Sequence, residues 1–204
     1  MLHAIGEALD KNIQSDLIYL DFAKAFDSVD YSFRLAKLNA YGVSGPRFAG
    51  FTDYLTGRTQ RVVVEGAASK WAPVTSGVPP GSLLGPILFT IFINHLPEEV
   101  VGGVRVALYD DDTKLYKSVT SICDCQSLQT TLGNLNSWSK HNRIKFNTSK
   151  YKSLTVTRTK FPLIHEYTLD SAQLERVSTE KDLGVHITSS LSWKPHIHAI
   201  TAKA

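Results

Sequence analysis

Cysteine is scarce in this 204-residue chain: Cys123 and Cys125 are the only two. Two thiols cannot build a disulfide framework, and no Cys/His set with zinc-ligand spacing joins them. A disulfide-stapled secreted scaffold and a structural zinc domain are therefore excluded. An excess of one charge is missing as well. Lys and Arg number 22 against 19 Asp and Glu, a formal +3 that by itself implies no polyanionic partner. Repeats and low-complexity segments are absent. Met1 to Asn12 has no basic region followed by an apolar run, so it does not read as a secretory signal. Charge is absent altogether from Trp71 to Asn94, a window long enough to cross a bilayer. Pro73, Pro79, Pro80 and Pro86, with Gly77, Gly81 and Gly85, would interrupt any lipid-exposed helix there. A buried loop followed by a short buried helix is the better reading, and the expectation is a soluble, intracellular chain with no membrane partner.

What is present is ordinary globular material, 43% apolar and 20% charged. A chain of this length can bury roughly 70% of its unfolded surface. Charge is unevenly spread. Between Lys114 and Lys160 nine basic residues face one acid, Asp124, a local +8 that leaves the remainder acidic. A basic segment beside an acidic remainder suits a protein that holds a polyanion near a carboxylate site.

Apolar patterning predicts strands at Leu17–Phe22, Val104–Tyr109, Thr113–Lys117, Arg143–Phe146, Leu154–Thr157, Glu175–Val177 and Gly184–Ile187. Arg61–Val64 is expected to turn at Glu65-Gly66, with Lys70–Val74 pairing back. Helices are expected from Ser32 to Tyr41, from Pro46 to a stop at Gly57, from Ser82 to His95, and opening at His196. Leu128, Leu132, Leu135 and Trp138 add a core-facing helical stripe. This order predicts an α+β fold, a small antiparallel sheet in a split βαβ arrangement with helices on one face.

Asp21 ends a buried strand, and Asp110, Asp111 and Asp112 occupy the tip of a hairpin between apolar strands. Neighbouring strands in such a sheet would bring these carboxylates together. Grouped carboxylates raise one another's pKa unless a cation neutralises them. An oxygen-only donor set suits a hard divalent ion such as Mg²⁺.

Five blocks then resemble reverse transcriptases of LINE-type elements, which lack long terminal repeats. LIYLDFAKAFDSVD (Leu17–Asp30) resembles their first catalytic motif, GVPPGSLLGPILFTIFIN (Gly77–Asn94) the second and ALYDDDTKLY (Ala107–Tyr116) the third. LNSWSKHNRIKFNTSK (Leu135–Lys150) and EKDLGVHITSSLSWKPHI (Glu180–Ile197) are similar to the segments that follow. The resemblance implies a polymerase palm with fingers and thumb largely missing. Residues 1–160 would form the palm with partial fingers. Residues 161–204 would supply primer-contacting strands and the start of a truncated thumb helix.

It implies template-directed transfer of deoxynucleotides to a primer 3′-hydroxyl through two Mg²⁺ ions, with Mn²⁺ as a substitute. An RNA template, a DNA primer and deoxynucleoside triphosphates would be the partners, and the nucleus the place of action. Asp21, Asp111 and Asp112 would bind the metals, with the Phe22 carbonyl nearby. Phe26 would gate against a ribose 2′-hydroxyl. Gly77, Pro79, Pro80 and Gly81 would shape the loop beneath the incoming base, Lys150 would approach the departing pyrophosphate, and Leu183 and Gly184 would lie at the primer.

Four residues depart from the family pattern: Asp110 stands where Ala is usual, Pro80 for Gln, His95 for Asp and Tyr31 for His. They lead to the expectation of an impaired copy. The alternative is an inactive relic of the element that folds and at most binds nucleic acid.

Overall fold

Every residue of the strand Gln14–Asp21 is buried, polar Gln14, Ser15 and Asp16 included. A strand covered on both faces reads as a near-continuous apolar run, which Leu17 to Leu20 supplies. The computed structural model describes residues 1–78 and 81–202. Its strands, numbered along the chain, are β1 (Gln14–Asp21), β2 (Arg105–Tyr109), β3 (Asp112–Val119), β4 (Lys152–Val156), β5 (Glu175–Val177), β6 (Thr179–Asp182) and β7 (Val185–Thr188), besides short two-residue ladders. Its longer helices are α1 (Leu2–Asp10), α2 (Tyr31–Ala40), α3 (Gly45–Leu55), α4 (Leu84–Ile93), α5 (Ile122–His141) and α6 (Lys194–Thr201). The chain divides into two units, one of Met1–Asp21, Leu96–Trp138 and Phe146–Ala204, the other of Phe22–His95 and Ser139–Lys145.

The first unit is built on a five-stranded sheet in the order β5-β4-β1-β3-β2. The fold is thus α+β, but the sheet is mixed rather than wholly antiparallel. β5 runs parallel to β4, and the other three pairings are antiparallel. Parallel neighbours need a long crossover. Here residues 157–174, with a small ladder between Thr168–Leu169 and Ala172–Gln173, provide it.

Helices also cover both faces of the sheet, not one. Side chains alternate along a strand, and Leu17 and Tyr19 share a core cluster with Ile5 and Leu9 of α1 and Ile187 of β7. On the opposite face, Tyr167 donates to Asp16 Oδ2 at 2.7 Å and contacts Cys125 of α5. The Leu128, Leu132 and Leu135 stripe of α5 is fully buried, as its helical spacing predicts.

The start of α5 is held by Asp124. Its Oδ2 accepts from the Thr120 and Ser121 amides, each at 3.0 Å, and Lys117 Nζ lies 3.2 Å from Oδ1. These bonds, the Thr120 amide first, hold the carboxyl well below the usual carboxylate range. A depressed folded-state value contributes stability that is complete above the unfolded value of 3.8 and fades as pH falls below it. Asp124→Asn is therefore expected to lose about 1–2 kcal/mol in urea unfolding at pH 7. The gap between wild type and variant should narrow below about pH 4.

The second unit packs α2, α3 and α4 around Tyr31, Leu38, Leu55, Val78 and Leu88. Asp30, rather than Ser32, caps α2, accepting from the Ser32 amide at 2.8 Å. Pro46 sits in the first turn of α3 and Gly57 takes φ +68° beyond it. Ser82 Oγ accepts from the Gly85 amide at 3.1 Å at the start of α4.

Two expected strands differ. Arg143–Phe146 does not form one. Arg143 takes φ +53° and the Ile144 amide bonds back to the Ser139 carbonyl at 3.0 Å, so the segment closes the end of α5 in a left-handed C-cap. The Glu65-Gly66 turn forms, but as two short ladders, Val63–Val64 with Ala67–Ala68 and Thr59–Gln60 with Ala72–Pro73. No helix among the described residues is long and apolar enough to cross a membrane.

Candidate functional site

The register of the central strands assembles an acidic site in the first unit. Asp21 ends β1 directly opposite Asp112, the first residue of β3. β2 and β3 are joined by Asp110 and Asp111, with Asp110 at φ +54°, a left-handed conformation that Asp tolerates better than Ala. The Asn147 amide donates to the Asp21 carbonyl at 2.7 Å and pins the strand end. One carboxylate oxygen each from Asp21, Asp111 and Asp112 falls within 4.8 Å of the others. Asp110 stands outside this set.

The electrostatics are those of incompletely neutralised carboxylates. Burial pushes the Asp111 carboxyl up, and Asp21, Asp110 and Asp112 push it further. Burial also raises Asp112. Lys114 and Lys150 oppose that rise, and Asp21 and Asp182 add to it. Lys150, on a largely exposed side chain, places Nζ 2.5 Å from Asp21 Oδ2. That hydrogen bond raises the ammonium above its ordinary value. Three oxygen donors converging on one point, two of them raised by burial and then by neighbouring carboxylates, fit a hard divalent cation.

Of the residues singled out in the sequence, Asp21, Asp111, Asp112 and Lys150 are thus brought together. Leu183 and Gly184, at φ +46° and +87°, form the two-residue turn between β6 and β7. That hairpin belongs to the same unit.

Phe22, Phe26, Gly77 and Gly81 belong to the second unit. Phe22 is buried edge-on against Phe89, with ring centroids 6.0 Å apart, and Phe26 packs on the same ring at 5.1 Å. Gly77, at φ +82°, leaves no room for a side chain, since a Cβ there would stand 2.9 Å from Asp27 Cα. The Val78 amide donates to the Phe26 carbonyl at 2.9 Å. Gly81 is also left-handed, at φ +74°. Pro79 and Pro80 lie outside the described residues.

Reading the sequence missed a set of side chains beside the acidic site. Lys114, Lys152 and Glu180 line a cavity of about 310 Å³ together with Tyr19, Asp21, Asp112 and Lys150. Asp182 pairs with Lys114. The only sequence signal was alternation: Glu180 and Asp182 share one face of β6.

Residues 6–187 match the family model described as reverse transcriptase (RNA-dependent DNA polymerase). The RNA-directed DNA polymerase from mobile element jockey of Drosophila funebris is 29% identical over 204 residues, covering 95% of this chain and 22% of that protein. Its counterpart in Drosophila melanogaster is 28% identical over 199 residues, covering 94% and 21%. This chain thus spans about a fifth of those relatives. Among solved structures, apo telomerase from Candida tropicalis truncated from its C-terminal domain superposes with a TM-score of 0.63 at 12% identity, over 94% of this chain and 38% of that one. At that identity the likeness concerns the fold alone.

Proposed function

Because the chain belongs to the reverse transcriptase family, we propose that it is the palm of a LINE-type retrotransposon polymerase, impaired in this copy. Its reaction would be RNA-templated addition of deoxynucleotides to a DNA primer 3′-hydroxyl. The observation that carries this reading is the convergence of Asp21, Asp111 and Asp112 within 4.8 Å.

These three carboxylates would hold Mg²⁺, or Mn²⁺ in its place. When bound, such ions would supply Lewis-acid activation of the attacking hydroxyl and offset charge on the departing group. Everything else falls to the chain. Asp21 and Asp112, locked in register, fix where charge is neutralised, and alignment is most of what phosphoryl transfer asks of a protein. Lys150 holds a proton at Nζ, available to a departing pyrophosphate. Phe26, its ring braced on Phe89, would reject a 2′-hydroxyl by steric contact. Gly77 and Gly81 would lie beneath the incoming base, and the Leu183–Gly184 turn would meet the primer. Lys114, Lys117, Lys150, Lys152 and Arg158 of the basic segment are already paired with carboxylates, so its remaining basic side chains would meet phosphates, and binding should weaken with salt.

A second reading, that of a relic which binds nucleic acid without synthesis, draws support from Arg34, a buried guanidinium with no hydrogen-bond partner among the described residues. Primer extension on an RNA template with Mg²⁺ or Mn²⁺ separates the two. Slow extension is expected, reduced at least about 100-fold by Asp111→Ala. Extension that survives this change overturns the assigned ligands. Salt-sensitive binding with no extension, with a working relative assayed alongside, establishes the relic.

A further inference from the structure

Three residues form a row across the central strands of the first unit. In the antiparallel register Tyr19 lies opposite Lys114 of β3 on one side and opposite Lys152 of β4 on the other. Directly paired residues share a face of the sheet. Tyr19, Lys114 and Lys152 therefore point the same way, one pleat period behind the Asp21–Asp112 pair. Each lysine is taken by one carboxylate of β6. Lys114 Nζ bonds Asp182, with both side chains buried, and Lys152 Nζ lies 2.9 Å from Glu180 Oε2. Glu180 and Asp182 are two residues apart and face the same side of their strand. Two ion pairs thus straddle Tyr19 and fasten β6 across the sheet. Tyr19 is pushed above the ordinary phenol value by burial first and then by Asp182 and Glu180, as expected of a ring lying between them. Its hydroxyl has no hydrogen-bond partner among the described residues.

Of the four lysines lining the cavity beside this row, Lys114, Lys150 and Lys152 each already carry a carboxylate, which leaves Lys181. What the pairs do is positional. Asp182 is the last residue before the Leu183–Gly184 turn, and Lys114 lies two residues past Asp112 on β3. Leu183 is more than half exposed and held at φ +46°, a conformation that Asn or Gly would adopt more readily. A side chain kept there against its preference fits a turn whose place matters.

We infer that Lys114–Asp182 and Lys152–Glu180 form a two-point clip that sets the Leu183–Gly184 turn at a fixed offset from Asp21 and Asp112, so that a primer 3′ end resting on the turn is delivered to the carboxylates. The clip residues are positioning residues. The inference rests on the polymerase reading above and names the side chains that would register the primer.

The test compares binding of a fluorescent RNA–DNA duplex with a recessed primer end against binding of single-stranded RNA of the same length. The proteins are the full chain, Asp182→Asn, Glu180→Gln, and the swap of Lys114→Asp with Asp182→Lys. Wild type should prefer the recessed end. Asp182→Asn should lose about tenfold in that preference while keeping its affinity for single strands, and the swap should regain part of it. Amide hydrogen exchange over residues 179–188 should quicken at least tenfold in Asp182→Asn, with residues 14–21 still protected. Should Asp182→Asn fail to fold, Lys152→Gln and Glu180→Gln, at the more exposed pair, are read in the same way. Variants that fold and keep the full preference overturn the clip and leave the polymerase reading standing. A wild type with no preference for the recessed end overturns both.

Discussion

Replacing Arg34 with leucine is expected to stabilise the protein by about 3 kcal/mol, more than a hundredfold in the folding equilibrium. Arg34 is 1% exposed, and none of its three guanidinium nitrogens has a hydrogen-bond partner among the described residues. It occupies the buried stripe of α2 between Tyr31 and Leu38, a position whose spacing calls for an apolar residue. Burial depresses its value from the ordinary guanidinium range to about 10, with Tyr31 and Tyr54 opposing that shift only in part. A base depressed on folding is a penalty. The unfolded chain binds its proton more tightly, so the cost is constant below about pH 10 and is relieved only as pH climbs above it. Leucine removes the buried charge and keeps the helix, since its propensity matches that of arginine. Urea unfolding at pH 7 checks this, with Arg34→Lys as the control that retains the charge. A leucine variant no more stable than wild type would show that the guanidinium is compensated, and would remove Arg34 as support for the relic reading.

The same residue shows what a sequence conceals. Arg34 looks like any charge on an amphipathic helix, and only packing reveals that its face is the inner one. Asp21 and Asp111 were legible for the opposite reason. Asp21 ends an apolar run of strand length and Asp111 sits in the tight turn between two others, and alternation with hairpin connectivity leaves little choice about how the turn is placed. α1 escaped notice because Ile5, Ala8 and Leu9 are a short stripe interrupted by Gly6, too little pattern without the sheet beneath it. Arg143–Phe146 has the composition of a strand, yet it lies where α5 has to end, and capping decided its conformation. The parallel placement of β5 and the Lys114–Asp182 and Lys152–Glu180 pairs depend on contacts between distant segments, for which a single chain carries no periodic signal.

In the acidic site, one substitution is expected to act in opposite directions on stability and on metal binding. Asp111 and Asp112 are both raised above the ordinary carboxylate value, first by burial and then by neighbouring carboxylates. An acid raised on folding binds its proton more tightly in the native state, so without metal the site weakens the fold as pH rises through the carboxylate range, and the penalty persists at neutral pH. Asp111→Asn removes one of the repelling charges and should raise the melting temperature in chelator by a few degrees. Wild type should instead gain about 2.7 kcal/mol when Mn²⁺ or Mg²⁺ reaches a hundred times its dissociation constant, a gain that Asp111→Asn forfeits. The metal response should strengthen between pH 4 and 7 as protons cease to compete for the same oxygens. Lys150→Met should enlarge it at neutral pH, because the ammonium 2.5 Å from Asp21 is a rival counter-charge for that carboxylate. Differential scanning fluorimetry across a metal and pH grid measures all of these. Equal metal responses in wild type and Asp111→Asn would mean that the carboxylates meet without sharing an ion, and the catalytic assignment of Asp111 would go with them.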